Sequence, residues 1–259
     1  MSQNPALPEH DYRSPLSEEW LFKAGALLFL LAGPLGGLGS ALHPRPDPDG
    51  QVSMIETVAD HTIWIPIHVA SMLSVVLTLG GLVVLYRSLS TQPERGLARL
   101  GLIAAVVGAA VTLVALAVDG VALKHVADAW AVTRDADRDM MTMVARAVEE
   151  LSLPLQALNT LAWFGVPFVA YGLAVIYSSG YPSSMGWIAV VCGIACIVLG
   201  VVRLFAGSGN AALLLLVTIF TTINSLWLIP ISVLLRRRAR ALAVASLDER
   251  LDGAAPVVA

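Results

Sequence analysis

Six runs of about twenty apolar residues, separated by prolines, glycines and arginines, constrain this chain more than any other feature. A bilayer's hydrocarbon core is about 30 Å thick and takes roughly 20 helical residues to cross. Within it, only helices and closed barrels can satisfy every backbone polar group. The runs lie at about Trp20–Leu42, Ile63–Tyr86, Leu100–Ala122, Leu153–Tyr177, Trp187–Phe205 and Ala211–Leu235. They predict an all-α polytopic bundle of six transmembrane helices. Composition agrees, since only 14% of the 259 residues are charged, against about 25% in soluble domains. Three segments are expected: a disordered cytoplasmic lead over 1–19, a transmembrane domain over 20–240, and a disordered cytoplasmic tail over 241–259. The lead is polar and acidic, unlike a signal peptide, so the first run should remain as a membrane helix.

Breakers and caps refine the picture. Pro66 is expected to kink the second span, Pro154 to open the fourth, and Pro167 to lie inside it. Ser53 and Glu56 match a capping box ahead of the second span. Gly33 with Gly37, and Gly36 with Ser40, have the small-xxx-small spacing of closely packed membrane helices. Residues 123–152 alternate in charge and predict helical extensions outside the bilayer.

Lys and Arg counts set the orientation. With the N-terminus inside, ten of the 16 basic residues fall on cytoplasmic segments, RRRAR at 236–240 among them, and six on outer ones. Both termini are therefore expected inside and the extensions outside. The formal charge of −3 and the lack of a basic stripe argue against a nucleic-acid partner. Expected partners are the bilayer itself and a second membrane protein or another copy of the chain.

A polar layer marks the candidate site. Asp119 interrupts an apolar run, where a charge costs roughly 2.5–3.5 kcal/mol on insertion scales. At about 1.5 Å per residue, His68 and Asp119 lie at similar depths below the outer surface. Asn159, Gln156 and Arg203 share that layer, while His43, His61 and His125 lie just above it. Lipid offers no partners, so these side chains are expected to turn toward one another. Asp119, His68 and Arg203 should share one pocket, with Thr112 on the face of Asp119. Arg203, Asn159 and Gln156 are candidates for structural pairing. His125 should instead work with Asp128 at the surface.

Several functions fit this layer. A metal or haem site would use His61 and His68, seven residues apart, with Met72 one turn beyond. Haem accepts His/His or His/Met pairs, and copper accepts imidazole and thioether. Met140, Met141 and Met143 would suit copper capture. In a membrane enzyme acting on a lipid or isoprenoid, Asp119 would be the acid and His68 the relay. A small proton-coupled transporter working through Asp119, and a purely structural partner subunit, are also open. Cys192 and Cys196 lack the further soft ligands of a zinc site and are expected to pack. No phosphate-binding loop or nucleophile elbow occurs.

The hairpin from Tyr171-Gly172 through Ser178-Ser-Gly-Tyr-Pro182-Ser-Ser-Met-Gly186-Trp187 resembles bacterial six-helix integral membrane proteins that share a domain of unknown function. The resemblance implies the six-helix fold, a multi-pass location in the bacterial plasma membrane, and no particular activity.

Overall fold

The computed structural model describes residues 15–44, 54–134, 136–206 and 210–253. Among these the secondary structure is helical: α1 (Pro15–Leu42), α2 (Met54–Asp60), α3 (Trp64–Ser88), α4 (Glu94–Ala117), α5 (Leu123–Val132), α6 (Ala136–Ala162), α7 (Val166–Tyr177), α8 (Ser183–Ala206) and α9 (Ala211–Gly253). A π-helical turn, Val118–Ala122, joins α4 to α5 without a break. Among the described residues, six stretches are long and apolar enough to span a membrane: Glu18–Gly39, Trp64–Ser88, Glu94–Val132, Asp137–Tyr177, Ser183–Ala206 and Ala211–Leu247. Each overlaps one of the six apolar runs of the sequence.

Local chemistry explains where these helices begin and break. Pro15 opens α1, at a position whose missing N–H costs nothing. Pro66 falls in the first turn of α3, so it starts that helix and does not kink it. The residues before it, His61–Ile63, leave the helix between α2 and α3. Ser53 of the expected capping box lies outside the described residues. Pro154 lies within a continuous α6 and does not open a span. The break comes later, at Trp163–Gly165, and Pro167 begins α7 after it. Asn224 on α9, fully buried, donates through Nδ2 to the carbonyl oxygen of Phe164 at 2.8 Å inside that break. A side-chain amide thus replaces a lost helix bond where no water is at hand. Asn210 caps α9, accepting the N–H of Leu213 on Oδ1 at 3.1 Å. That helix does not stop at Arg240: the helix-forming run of Ala and Leu that follows carries it to Gly253, so the expected disordered tail is helical over 241–253.

The helices pack in neighbouring pairs, α1 against α3 and α9, α4 against α3, α6 and α7, and α8 against α6, α7 and α9. The main core includes Phe29, Leu85, Tyr171, Trp227, Ile231 and Leu235. Cys192 and Cys196 are free and buried on α8, where they pack. A second, smaller core of Ile55, Val58, Trp64, Leu123, Ala127, Trp130 and Ala145 joins α2, α5 and the start of α6 at one end of the bundle. Small residues set the α1–α3 distance. A Cβ on Gly39 would stand 2.2 Å from Ser71 Oγ. This approach brings the C-terminal end of α1, and His43 just beyond it, onto the first turns of α3.

Candidate metal centre

Three side chains from three helical segments converge beneath the smaller core. His43 follows the last residue of α1, His68 lies in the second turn of α3, and Asp119 lies in the π turn after α4. One ligand atom from each lies within 4.8 Å of the other two. His68 Nε2 is 3.1 Å and His43 Nε2 3.5 Å from the same oxygen, Asp119 Oδ2. His68 and Asp119 are buried, at 2% and 8% exposure, whereas the His43 side chain is 33% exposed. The site is therefore walled on two sides and open on the third.

The other ring nitrogens fix the tautomers. His68 Nδ1 is 2.7 Å from the carbonyl oxygen of Trp64, and His43 Nδ1 is 2.9 Å from that of Pro44. A carbonyl oxygen can only accept, so each Nδ1 carries the hydrogen and donates. In a neutral imidazole, Nε2 is then a lone pair. Two such lone pairs face one carboxylate oxygen, an arrangement that repels unless a cation lies between them. The cation can be a proton on a ring or a metal ion among the three. Histidine ligands held through Nδ1–H by carbonyl groups are the usual support of a metal centre. The two histidine–carboxylate separations, 3.1 and 3.5 Å, suit an ion too, since ligands about 2.0–2.2 Å from a tetrahedral zinc stand roughly 3.4 Å apart.

The surroundings hold this geometry. Trp64, fully buried, donates from Nε1 to the main-chain oxygen of Asp119 at 3.0 Å. Its ring packs against both imidazoles, with centroids 4.8 Å from His43 and 5.0 Å from His68. Gly120 leaves room for His68, because a Cβ there would stand 2.3 Å from the imidazole Cγ. π-Helical turns recur at functional sites, and this one turns Asp119 and Gly120 inward together. Burial alone would lower the His43 pKa. The hydrogen bond and charge of Asp119, with the Pro44 carbonyl, outweigh it and raise that pKa above the ordinary value.

The expected three-residue pocket takes a different form. Asp119 meets His68, but Arg203 does not reach Asp119. The guanidinium donates from Nη1 to Thr160 Oγ1 at 3.3 Å and from Nη2 to Gln156 Oε1 at 3.4 Å. Gln156 Nε2 donates to Ser152 Oγ at 3.2 Å, and Ser152 Oγ donates to Asp119 Oδ1 at 3.4 Å. The connection is thus a polar file along α6. Depth along the membrane normal cannot resolve such lateral separation. Asn159 belongs to a neighbouring contact with the Thr112 hydroxyl, at 2.7 Å.

Other expectations also move. His61 precedes α3 and is not in the His43–His68–Asp119 group. Its seven-residue spacing to His68 loses its meaning because the helix breaks between them. Met72 lies one turn along α3 from His68, half-buried. His125 is exposed and does not engage Asp128, which instead accepts from Lys124 Nζ at 2.6 Å. Lys124 also donates to the carbonyl oxygen of Ala59 at 2.9 Å, tying α5 to α2. Met140 and Met143 are exposed near the start of α6.

Sequence reasoning missed His43, Trp64, Gly120 and Ser152 as parts of the site. Gly120 carried a usable signal: a glycine beside an intramembrane charge marks a close approach by another chain segment. No protein-family model, curated protein or solved structure matches the chain, so the hairpin resemblance adds nothing to the six-helix bundle that the structure itself shows.

Proposed function

We propose that the protein is a multi-pass membrane protein that binds one divalent transition-metal ion through His43 Nε2, His68 Nε2 and the Asp119 carboxylate. The observation that carries this reading is the pair of carbonyl-anchored Nδ1 atoms, which leaves both Nε2 lone pairs aimed at one carboxylate oxygen. Two imidazoles and a carboxylate suit zinc or ferrous iron, and three protein ligands leave a coordination position open. Haem fits less well, since the carboxylate lies between the two imidazoles where a porphyrin would have to stand. His61 and Met72 have no part in this ligand set. The excess of Lys and Arg on the opposite side supports a centre facing outward, with both termini inside.

The test is metal analysis of the purified full-length protein, followed by titration of the stripped protein with zinc and with ferrous iron under anaerobic conditions. One ion per chain is expected, lost in the His68→Ala variant. Failure of the wild-type protein to take up either ion would overturn the proposal.

A second reading has its own observation, the file Asp119–Ser152–Gln156–Arg203. If protons supply the missing cation, His43 with Asp119 is a proton-binding pair at the open end of that file. Proton uptake by a protein that binds no metal would favour this reading.

A further inference from the structure

We infer that a groove between α1 and α9, at the end of the bundle opposite the histidines, holds the headgroup of an anionic phospholipid from the bilayer. Lys23, Ala26, Leu27, Leu30, Arg236 and Arg240 line a space of about 260 Å³. Ligand sites run roughly 300–1,000 Å³, so this one fits a headgroup and not a whole lipid. Leu27 and Leu30 are exposed, at 55% and 42%. They lie up to two turns along α1 from Lys23, toward the middle of the span. One wall is therefore a track for an acyl chain, and the mouth is cationic.

The charges favour one occupant. Lys23 Nζ donates to Glu19 Oε1, one turn earlier on α1, so that lysine is largely neutralised. Arg236 and Arg240 are one turn apart on α9 and exposed, with no ion pair or hydrogen bond among the described residues. Two guanidinium groups on one helix face, unpaired beside an apolar track, match a phosphodiester, which takes paired N–H donors. Basic pockets between membrane helices bind such headgroups. A zwitterionic lipid would bring its own cation into the same mouth. This site is independent of the metal centre.

The test uses the full chain, extracted and then exposed to an equal mixture of phosphatidylglycerol and phosphatidylcholine with identical acyl chains, and weighed intact by native mass spectrometry. Wild-type protein should retain one phosphatidylglycerol with about a ten-fold preference over phosphatidylcholine. R236Q/R240Q should bring the ratio close to one. R237Q, which removes a neighbouring exposed arginine that does not line the groove, should keep the preference. A wild-type ratio equal to the mixture supplied would overturn the inference, as would an equal loss in R237Q. Should R236Q/R240Q not purify, R240Q alone is scored in the same way, with about a three-fold loss expected. In wild-type protein, phosphatidylglycerol should also raise the melting temperature more than phosphatidylcholine does, and equal shifts would count against the site.

Discussion

Glu94 and Asp119 are buried carboxylates at opposite ends of α4 and its π-helical continuation, and their surroundings differ in kind. Glu94 Oε1 accepts main-chain N–H groups from Ser90 and Thr91, both at 2.9 Å. A carboxylate in that position closes a helix N-terminus, and its charge suits the helix dipole there. Asp119 Oδ2 instead faces two ring nitrogens whose hydrogens are committed elsewhere. Both residues expose little surface, at 4% and 8%, so low exposure alone does not separate structural from functional acids. The direction of the neighbouring hydrogens does. Glu94 Oε1 meets two N–H donors; Asp119 Oδ2 meets two lone pairs and needs a cation.

The largest expected effect tests that contrast directly. Asp119→Asn should weaken metal binding on the order of 100-fold or more, because a ligand is lost and its support disturbed. Glu94→Gln should leave metal affinity unchanged while lowering stability by about 1–3 kcal/mol, the range for a disturbed buried hydrogen-bonding group. Calorimetric titration and thermal unfolding of both variants measure the pair. A Glu94→Gln protein that loses metal as Asp119→Asn does would erase the distinction between the two ends.

Next in size is Gly120→Ala. The added methyl would meet the His68 ring at 2.3 Å from Cγ, and the flanking π turn has little room to yield. A displaced ligand should cost about 10–100-fold in affinity, the range for disturbing a metal ligand's support. The helical content, followed by circular dichroism, should stay at the wild-type level. Wild-type affinity in this variant would show that the imidazole position does not matter.

How much of this was legible from residues alone can be traced along the same helix. The six spans follow from run length, because lipid permits so few alternatives. The meeting of His68 with Asp119 follows from matched depth, a single coordinate. What failed needed the second coordinate, the angle around each helix. His125 stands at the surface, away from Asp119, as its angle predicts, but Lys124, one residue earlier on α5, takes Asp128 from it. The break at His61–Ile63 undoes the pairing of His61 with His68. Arg203 has the right depth but lies off to one side, joined through Gln156 and Ser152. Asn224 was unreadable because its role depends on a break near Phe164, on another helix.

Acidity gives a smaller effect with opposite signs in two measurements. In metal-free protein the His43 pKa is raised above 6.5 by Asp119. A raised value means that the fold favours the protonated ring. Its contribution to stability is present below about pH 6.5 and is lost as pH rises through the higher folded value. Metal affinity should run the other way, rising by up to about ten-fold per pH unit over the same window, since the His43 ring must lose its proton to bind. Asp119→Asn should flatten the stability slope. Glu94→Gln should leave it in place. Stability that rises with pH across this window in the metal-free protein would contradict the assigned direction.

The smallest effect concerns what holds Asp119 when no cation is bound. Ser152 Oγ reaches Asp119 Oδ1 at 3.4 Å, too long for a strong bond, while Gln156 Nε2 donates to the same hydroxyl at 3.2 Å. Ser152 therefore orients the carboxylate without ligating anything. Ser152→Ala should reduce metal affinity only about two- to five-fold, below the 10–100-fold typical of well-formed supporting contacts. It should also leave Gln156 Nε2 without its acceptor, at about 1–3 kcal/mol of stability. Titration and thermal unfolding of this one variant separate the two consequences. A loss of affinity as large as that of Asp119→Asn would mean that the α6 file, not the convergence of imidazoles, sets the carboxylate. The contrast with Glu94 would then lie in the neighbouring helix and not in the direction of the histidine hydrogens.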